Sequence, residues 1–532
     1  MRPQNTNPGS ASVHCKKSSV LDTLRANFGI YTSDVTYASQ CLIDAERDAQ
    51  RCDDEIKRLE ADIVVLRDQQ QRIYCRIDQY RSLLAPIRKL PPEVLGRIFR
   101  LICFENSVAV KIDCPAIHLS HVCAGWRDLA QTTPSLWSRI SIDLFQSLHD
   151  LSQVRSMLTT CLVLSKPSPL FLHLTIIGET KVADSVLRSV VHHCARWAKV
   201  RLDIDASHFD KLSPIKGNLP LLHSLEVRTI DDFGLFLALD SPGSLDFFSP
   251  APQLRAVAIG KTYPTHVTMD TSTLPWGQIS DLKLHFFDNF GHVNDLLLLA
   301  VQARSVTLSR CIMKDPPSNI PENFTHTLES LSFILHEDAP DPSQCFRVWT
   351  MPRLNHLHFL IRETDYLSDS YTFAELPWFI RRSGCTITTL SLVNLRLSEV
   401  EVIALFQCMT SLADLTLHEH RADKRNLSLT PSLLQKMTVD HRTTSSSRFL
   451  PHLKKVDFRI HFPFSTVDLV SMVHSRWIPD DIDAAEMGVD CLGVVKIQVL
   501  VRGDPPTDPP LRPLLAMKAR GLQCMVSLDM LG

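Results

Sequence analysis

The sequence predicts an α/β protein with a long N-terminal coiled-coil helix, a small three-helix module and an irregular leucine-rich-repeat solenoid. Three observations lead to this fold class. A seven-residue apolar period runs through residues 34–85, three short amphipathic segments follow in residues 86–145, and a short strand pattern recurs through residues 146–502. Residues 1–33 are predicted to be a disordered tail, and residues 503–532 a proline-rich linker with a terminal capping element.

The composition resembles that of an ordinary soluble protein, with 44% hydrophobic and 21% charged residues. The net charge of −2 provides no overall positive field for nucleic acid or an acidic membrane surface. The longest aliphatic run, Leu296 to Val301, is too short to span a bilayer. We therefore expect an intracellular protein, cytoplasmic or nuclear, that binds neither nucleic acid nor membranes.

The 15 cysteines are expected to be reduced thiols, many of them core residues, and no CxxC pair occurs. The run His192, His193 and Cys194 comes nearest to a metal cluster. Adjacent side chains on a helix cannot all point the same way, so a pair of histidines at a helix end is the preferred interpretation. No metal and no cofactor is expected.

Residues 34–84 contain no glycine or proline, and their composition favours one continuous helix. Apolar residues form two rows with a period of seven, which together are called the seam. The first row contains Leu42, Ala49, Ile56, Ile63, Ile77 and Leu84, and the second Ala45, Cys52, Leu59, Leu66, Ile73 and Tyr80. Gln70 falls in the first row, where a polar residue can fix register or partner number.

Two interpretations of the seam remain open. The helix either associates with a second copy or another partner, or it lies against the rest of its own chain. Association is favoured, because so long and narrow a seam needs a long partner and no other segment offers a matching heptad pattern.

Three segments of residues 86–145 predict short helices that share one apolar face. Residues 90–99 read LPPEVLGRIF, residues 119–130 read LSHVCAGWRDLA, and residues 133–137 read TPSLW. Pro92 suits a helix start, and Glu93 lies where the helix dipole favours an anion. A unit of this size hides little surface, so an exposed apolar face suggests docking onto another molecule.

In order and spacing these segments resemble the F-box, over Ile87 to about Ile140. The resemblance implies binding to a Skp-type adaptor and, through it, to a cullin and a RING subunit. It also implies a set of adaptor-binding residues: Leu90, Pro91, Pro92, Leu95, Ile98, Phe99, Val122 and Trp126.

Within this set, residues 90–92 would lie on the adaptor. Leu95, Ile98 and Phe99 would fill its groove or brace the helix, and Val122 and Trp126 would support a second contact. The alternative is that these residues form an ordinary three-helix core. The stretch from Asn106 to Pro115 departs from the pattern, because a compact F-box needs a shorter connection there.

Eleven candidate strands share the pattern apolar-x-x-apolar-x-apolar. Their central apolar residues are Val200, Leu225, Val257, Leu282, Val306, Leu331, Leu357, Leu390, Leu415, Val456 and Val495. Most steps between them are 24 to 26 residues, a leucine-rich-repeat period. Helices are predicted between strands at Val182–Cys194, Val293–Gln302, Glu399–Met409 and Thr466–Ser475, and long loops at Asp232–Pro250, Arg362–Leu376 and Glu419–Arg448.

Outward-facing residues of these strands are the candidate target-binding surface. We name Arg228, Lys283, His285, His356, His358, Asp414, His418 and Arg459. A solvated sheet face explains each residue singly, whereas a ligand-binding face explains the architecture. The polar residue that follows each strand in regular repeats is a cysteine only in the repeat ending at Cys311, so an irregular solenoid is predicted.

The sequence contains no nucleophile elbow, Walker loop or dinucleotide fingerprint, and no catalytic residue is predicted. The preferred hypothesis is a non-catalytic substrate receptor of a Skp-cullin-F-box ubiquitin ligase. It binds the adaptor through the F-box and a protein target through the repeats. The alternatives are a coiled-coil scaffold that holds the adaptor without ubiquitination, and an enzyme with an unrecognised site in the repeats.

Overall fold

The computed structural model describes residue 25 and residues 32–109, 111–144, 151–178, 181–229, 243–261, 269–270, 273–287, 290–311, 324–336, 342–362, 373–421, 429–441, 448–502 and 511–531. The chain divides into two compact units, Met1–Pro91 and Pro92–Gly532. Almost all of the predicted tail, residues 1–33, lies outside the described residues, as do residues 503–510 of the predicted linker.

One helix, α1, dominates the first unit. It spans Thr32–Leu84 and confirms the helix predicted for residues 34–85. Pairs of opposite charge three or four residues apart support it, such as Arg58 with Glu55 at 2.6 Å. The helix ends before Ala85, and Pro86 then begins a short 3-10 helix, Pro86–Lys89. The association predicted for the seam stays a prediction.

The second unit alternates strands with helices. Its α-helices in chain order are α2 (Pro92–Ile102), α3 (Pro115–Ser120), α4 (Ala124–Gln131), α5 (Leu151–Leu164), α6 (Lys181–Val191), α7 (Phe290–Leu299), α8 (Ser343–Val348), α9 (Leu376–Ser383), α10 (Glu399–Cys408), α11 (Pro431–Met437), α12 (Thr466–Arg476), α13 (Asp481–Met487) and α14 (Arg512–Lys518). Short 3-10 helices lie at Pro134–Leu136, Cys194–Arg196, Ala206–Ile215, Asp246–Phe248 and Trp276–Gln278. None of the described helices is long and apolar enough to cross a membrane.

The strands in chain order are β1 (Asn106–Val108), β2 (Ile112–Asp113), β3 (Arg139–Asp143), β4 (Leu170–Ile176), β5 (Trp197–Ile204), β6 (Ser224–Thr229), β7 (Gly243–Ser244), β8 (Ala256–Lys261), β9 (Met269–Asp270), β10 (Asp281–His285), β11 (Ser305–Ser309), β12 (Phe324–Thr325), β13 (Ser330–Leu335), β14 (Trp349–Thr350), β15 (His356–Ile361), β16 (Thr389–Val393), β17 (Asp414–His418), β18 (Lys455–His461), β19 (Val494–Arg502) and β20 (Gln523–Leu531).

Among the described residues, sixteen strands form one sheet in the order β2-β1-β3-β4-β5-β6-β8-β10-β11-β13-β15-β16-β17-β18-β19-β20. Every neighbouring pair is parallel except β1 with β2. Two small sheets pair β7 with β9 and β12 with β14. The fold is therefore a mixed α/β structure built on one long, almost wholly parallel sheet.

The eleven predicted strands are all present, and they lie beside one another in chain order. Each central apolar residue stands directly opposite the next along the sheet, from Val200 opposite Leu225 to Val456 opposite Val495. These residues are fully or almost fully buried, and they share one core with apolar residues of α6, α7, α9, α10 and α12. One face of the sheet is thus packed against helices, and the other presents the outward rows.

The insertion at Asn106–Pro115 starts the sheet. Its strand β1 pairs in parallel with β3, which in turn pairs in parallel with β4. Asn106 is buried, and its amide donates to the carbonyl oxygens of Leu136 and Arg139 at 2.8 and 3.1 Å. The three-helix module is therefore joined to the strands from β4 onward by a continuous ladder of backbone hydrogen bonds.

Three partly or fully buried arginines join successive strand-helix units. Arg196 donates to the carbonyl oxygens of Leu162 and Ser165 at the end of α5. Arg382 reaches the carbonyl oxygens of Phe346 and Trp349 in the same way. In both cases a guanidinium donates to carbonyl oxygens at or just beyond the end of a helix.

The third such residue, Arg476, is 1% exposed. It donates to the carbonyl oxygen of Met437 at the end of α11, and to those of Phe449 and Leu450 at 2.5 and 2.8 Å. Burial lowers its pKa to about 10, so it remains a cation at neutral pH.

Two predictions made from sequence need correction. The stretch Glu419–Arg448, predicted as a loop, contains the helix α11, which begins at the N-cap Thr430 with Pro431 in its first turn. The strands β3 and β4 are additions that the sequence pattern does not predict. Parts of the loops expected at Asp232–Pro250 and Arg362–Leu376 lie outside the described residues.

Candidate functional site

The core of the three-helix module is built on α2 and α4. Phe99 is fully buried, and its ring meets that of Trp126 edge to face with centroids 4.9 Å apart. Leu95 lies one turn before Phe99 and is 8% exposed. Gly96 lies where the two helices come close, because a Cβ there would be 3.9 Å from Leu129 Cδ1.

Trp137 closes one end of this core. It is 1% exposed, and its indole Nε1 donates to the carbonyl oxygen of Ala130 at 2.8 Å. That carbonyl belongs to the last turn of α4 and also accepts from the backbone N–H of Thr133 at 3.3 Å. The Thr-Pro-x-Leu-Trp segment thus serves as a cap for α4.

Large apolar side chains remain exposed around the core. Leu101 is 83% exposed and Phe104 75%, while Val94, Ile102 and Val122 are between 41% and 58% exposed. Val94 and Leu101 are seven residues apart and lie on one side of α2. A cluster of exposed aliphatic and aromatic residues on so small a unit is typical of a protein-binding surface.

The comparisons with known proteins match this part of the chain. Residues 87–143 match the family model described as F-box-like. The chain carries an F-box-like domain. No curated protein matches the chain. The match supports the resemblance drawn from the sequence motifs, and it extends through β3 at the start of the sheet.

The residues predicted to bind the adaptor fall into different environments. Leu95 and Phe99 are core residues of the F-box-like domain, which favours the bracing role over the groove-filling one. Leu90, Ile98 and Trp126 are half-buried, while Pro91, Pro92 and Val122 are exposed.

Sequence analysis does not single out Val94, Leu101 or Phe104, because the 3.6-residue period identifies an apolar face without showing how far its packing partner extends. The same period places Ile102 on the packed face, yet this residue is 51% exposed.

The outward face of the sheet carries a charged cluster on β4, β5 and β6. Asp203 accepts from Arg201 Nε at 2.9 Å and from His173 Nε2 at 3.2 Å. Arg228 pairs with Glu226 at 2.6 Å. Burial of Asp203 opposes ionisation, but the His173 hydrogen bond and the two guanidinium groups outweigh it and lower the pKa of this carboxyl.

His285 lies beside this cluster, packed over Gly260. A Cβ at Gly260 would be 2.4 Å from the Cβ of His285, so only glycine fits there. Burial, followed by the positive charge of Arg228, lowers the pKa of His285 to about 4. The ring is therefore neutral at physiological pH. Lys283, one outward position earlier on β10, is exposed.

A second charged cluster lies on β17, β18 and β19. His418 Nε2 donates to Asp457 Oδ1 at 2.9 Å, and Lys455 pairs with Asp414 at 2.6 Å. The hydrogen bond from His418 is the main reason that the pKa of Asp457 lies below its usual value.

Between the two clusters, the outward positions are mostly small or hydroxylated: Ala258, Gly260, Ser305, Thr307, Ser330, Ser332, Thr389, Ser391 and Thr416. Asp281, Lys283 and His285 of β10 and two histidines of β15 interrupt this stretch. His356 is exposed, whereas His358 is partly buried, and burial lowers its pKa.

Arg459 differs from the other predicted target-binding residues because it is only 7% exposed. Its Nε donates to the carbonyl oxygen of Glu419 at 3.1 Å, and its Nη2 donates to the side-chain oxygen of Asn394. Asn394 has a left-handed backbone with φ of 62°. These contacts give Arg459 a structural role at the ends of three strands.

The run His192, His193 and Cys194 lies at the end of α6. His193 donates from Nδ1 to the carbonyl oxygen of Ser189 at 2.9 Å, and Cys194 is 8% exposed. In the part of the chain that the structure describes, no group of three or more histidine, cysteine, aspartate or glutamate residues could hold a metal ion.

Proposed function

We propose that this protein is the substrate-receptor subunit of a Skp-cullin-F-box ubiquitin ligase. In this role the F-box-like domain binds a Skp-type adaptor, and the adaptor links the chain to a cullin. The outward face of the sheet binds a protein target, whose lysine then meets the charged ubiquitin-conjugating enzyme. The chain itself supplies proximity and no catalytic group.

The main observation in support is the F-box-like match at residues 87–143, together with the exposed apolar residues around the domain's core. Each large apolar side chain that becomes fully buried contributes about 1.5–3 kcal/mol. Leu101, Phe104, Val122 and Val94 would therefore supply enough free energy for a stable contact after the cost of association.

The sheet face has features that suit an extended segment of a target. Two charged clusters, on β4–β6 and on β17–β19, flank a stretch of small side chains where a polypeptide can approach the strands closely. We infer that the sheet and its helices form an irregular leucine-rich-repeat solenoid, in which such a face is the usual binding surface.

A substitution at the exposed apolar surface tests adaptor binding. The variant Leu101→Asp plus Phe104→Asp adds two charges at positions that the domain's own core does not use. The control, Val400→Asp plus Val467→Asp, alters residues that are 76% and 77% exposed on α10 and α12. The first variant is expected to lose the purified adaptor in a binding assay, and the control to retain it. Full binding by the first variant would refute this surface.

Target binding needs a separate test. Lys283→Glu plus His356→Glu changes two exposed residues of the sheet face. Some proteins should be ubiquitinated only when this chain is present. Their ubiquitination should be lost with the sheet-face variant and also with the adaptor variant. The sheet-face variant should nevertheless still bind the adaptor. If these proteins are still ubiquitinated with the sheet-face variant, the target binds at another part of the chain.

A coiled-coil scaffold that holds the adaptor without ubiquitination is the second candidate, and the exposed seam of α1 favours it. The two functions differ in whether the chain is linked to a cullin. A receptor co-purifies with a cullin through the adaptor, and its deletion stabilises a target, whereas the scaffold does neither.

A further inference from the structure

The seam of α1 is an exposed apolar stripe. Leu59, Leu66, Ile73 and Tyr80 of its second row are 47%, 61%, 48% and 66% exposed, and Ile56 of the first row is 52% exposed. A helix of this length with two exposed apolar rows at heptad spacing typically pairs with another helix in a coiled coil. The charges beside the seam decide which partner and orientation fit.

Flanking positions are defined here as the residues directly after each second-row residue and directly before each first-row residue. In the N-terminal half they are Cys41 and six acidic residues, Glu46, Asp48, Asp53, Glu55, Glu60 and Asp62. In the C-terminal half they contain three arginines and no acid: Arg67, Gln69, Tyr74, Arg76, Arg81 and Leu83. The helix therefore has an acidic half and a basic half along its seam.

Several flanking charges have no partner on their own helix. Seven ion pairs lie within the described part of α1, and they engage mainly residues away from the seam, such as Arg47, Arg51 and Arg72. Glu46, Glu60, Arg67 and Arg76 take part in none of them. These four side chains remain available for charges on a second helix.

A parallel, in-register pair of such helices would be repelled at its flanks. In that arrangement each flanking residue before the first row faces the partner residue five positions later. Asp48 would face the partner's Asp53, Glu55 the partner's Glu60, and Arg76 the partner's Arg81. Among these flanking contacts, only the one between Asp62 and the partner's Arg67 would join opposite charges.

An antiparallel pair removes the repulsion. When Ile63 lies opposite the partner's Leu66, Glu60 faces the partner's Arg67. In the same register Glu46 faces the partner's Arg81, and Glu55 faces the partner's Arg76. Each contact occurs twice by symmetry, and no like charges meet at any flanking position. Gln70 of the first row then lies against the partner's Leu59.

We propose that α1 forms an antiparallel coiled coil with α1 of a second copy of this chain, in the register that places Ile63 against the partner's Leu66. The overlap runs from residue 45 to residue 84 and includes six seam positions of each row. A two-stranded coil of this length buries surface on the order of 1,500 Å², which is typical of stable complexes. This pairing does not depend on the proposed ligase function.

The orientation has a geometric consequence. At a rise of 1.5 Å per residue, the C-terminal ends of the paired helices lie about 60 Å apart. Because the F-box-like domain follows α1 in the chain, the two domains of the dimer would be attached at opposite ends of the coil. A parallel dimer would place both at the same end.

A charge reversal distinguishes the two orientations by the sign of its effect. In the antiparallel pair, Glu60→Arg faces the partner's Arg67, and the dissociation constant of the full-length dimer should rise about tenfold. In a parallel pair the same arginine would face the partner's Glu55 and tighten the dimer. Asp54→Arg makes an equal charge change outside the flanking positions and is expected to have little effect. Sedimentation velocity over a concentration series measures all three proteins.

Adding Arg67→Glu to Glu60→Arg exchanges the two charges and should restore dimerisation to near its original strength. In a parallel pair the added glutamate would face the partner's Asp62 and weaken the dimer. A chain that stays monomeric over the whole concentration series, or a dimer tightened by Glu60→Arg, would overturn the proposal.

Cysteine cross-linking tests the register directly. Cys52 lies opposite the partner's Ile77 in the proposed register, so Ile77→Cys should form a disulfide with it under mild oxidation. These variants are made in a protein in which serine replaces Cys15, Cys41 and Cys75. The matched control adds Cys52→Ser and should no longer cross-link, whereas in a parallel dimer the two thiols introduced by Ile77→Cys would still meet each other. Cross-linking in the control would therefore contradict the proposed orientation.

Discussion

The guanidinium of Arg476 at the end of α12 donates to the carbonyl oxygen of Leu450 at 2.8 Å, across the gap between two successive strand-helix units. The side chain is almost completely buried, and it also reaches the carbonyl oxygens of Met437 and Phe449. A buried cation is tolerated here because backbone acceptors surround it. Arg196 and Arg382 likewise donate to backbone carbonyl oxygens between other neighbouring strand-helix units.

We expect Arg476→Leu to lower the free energy of unfolding by about 3 kcal/mol or more, because three carbonyl groups would lose their donor in a buried site. Arg476→Lys keeps the charge, but it cannot reach three acceptors at once and should cost nearly as much. Chemical denaturation of the full chain measures both variants. Lys211→Leu changes a half-exposed cation and serves as the control. A variant at 476 as stable as this control would contradict the structural role.

Phe99→Ala should destabilise the F-box-like domain by about 3–5 kcal/mol, since it leaves a cavity and removes the ring contact with Trp126. Adaptor binding would then fall because the domain no longer folds. Phe104→Asp should also reduce adaptor binding, but without any change in the melting temperature. Comparing binding with thermal melting separates a core residue from a surface residue, and identical behaviour of the two variants would contradict this division.

Gly260→Ala should destabilise the protein by about 2 kcal/mol or more, because the added methyl group would overlap the Cβ and the carbonyl oxygen of His285. Gly277→Ala is the matched control, since no atom lies within 4 Å of a Cβ placed there. Thermal melting of the two variants measures the difference. Equal melting temperatures would show that β8 and β10 do not pack as closely as described.

His285 should make the protein acid-sensitive. Its pKa falls from 6.5 to about 4 on folding, so the unfolded chain binds a proton in the interval where the folded chain does not. The contribution to stability is therefore present above pH 6.5 and is lost as the pH falls toward 4. At pH 5 the loss is on the order of 1–2 kcal/mol relative to pH 7.

The variant His285→Gln removes this proton linkage. Its free energies of unfolding at pH 7 and pH 5 should lie closer together than those of the unsubstituted protein. His356→Gln, at an exposed position of the neighbouring histidine strand β15, is the control and should preserve the original pH dependence. An unchanged slope in His285→Gln would show that another group carries the acid sensitivity.

The repeat pattern predicts eleven strands of the sheet, because each strand needs an apolar residue at the same inward positions. It misses β3 because Trp137, which precedes that strand, belongs to the F-box segment. It misses β4 because Pro169 occupies the position where the pattern requires an apolar side chain. Trp137 is assigned to the F-box motif and not to a strand, and Pro169 interrupts the apolar period before β4.

The candidate site is less predictable than the fold. The period of α2 shows which residues share a face, but α4 covers only the middle of that face, so Leu95 and Phe99 are buried and Ile102 is exposed. Arg459 faces outward by strand alternation, yet Asn394 and Glu419 enclose it. Such long-range contacts come from residues distant in the sequence, and no local pattern contains them.

The continuity of β1, β3 and β4 affects how the protein can be divided for experiments. A truncation that begins after Asp143 would remove the first three strands and expose the seven-residue edge of β4 to solvent. Unprotected edges of that kind recruit other chains and promote aggregation. A soluble fragment for crystallising the sheet would accordingly have to keep its first strands or carry an engineered substitute for them.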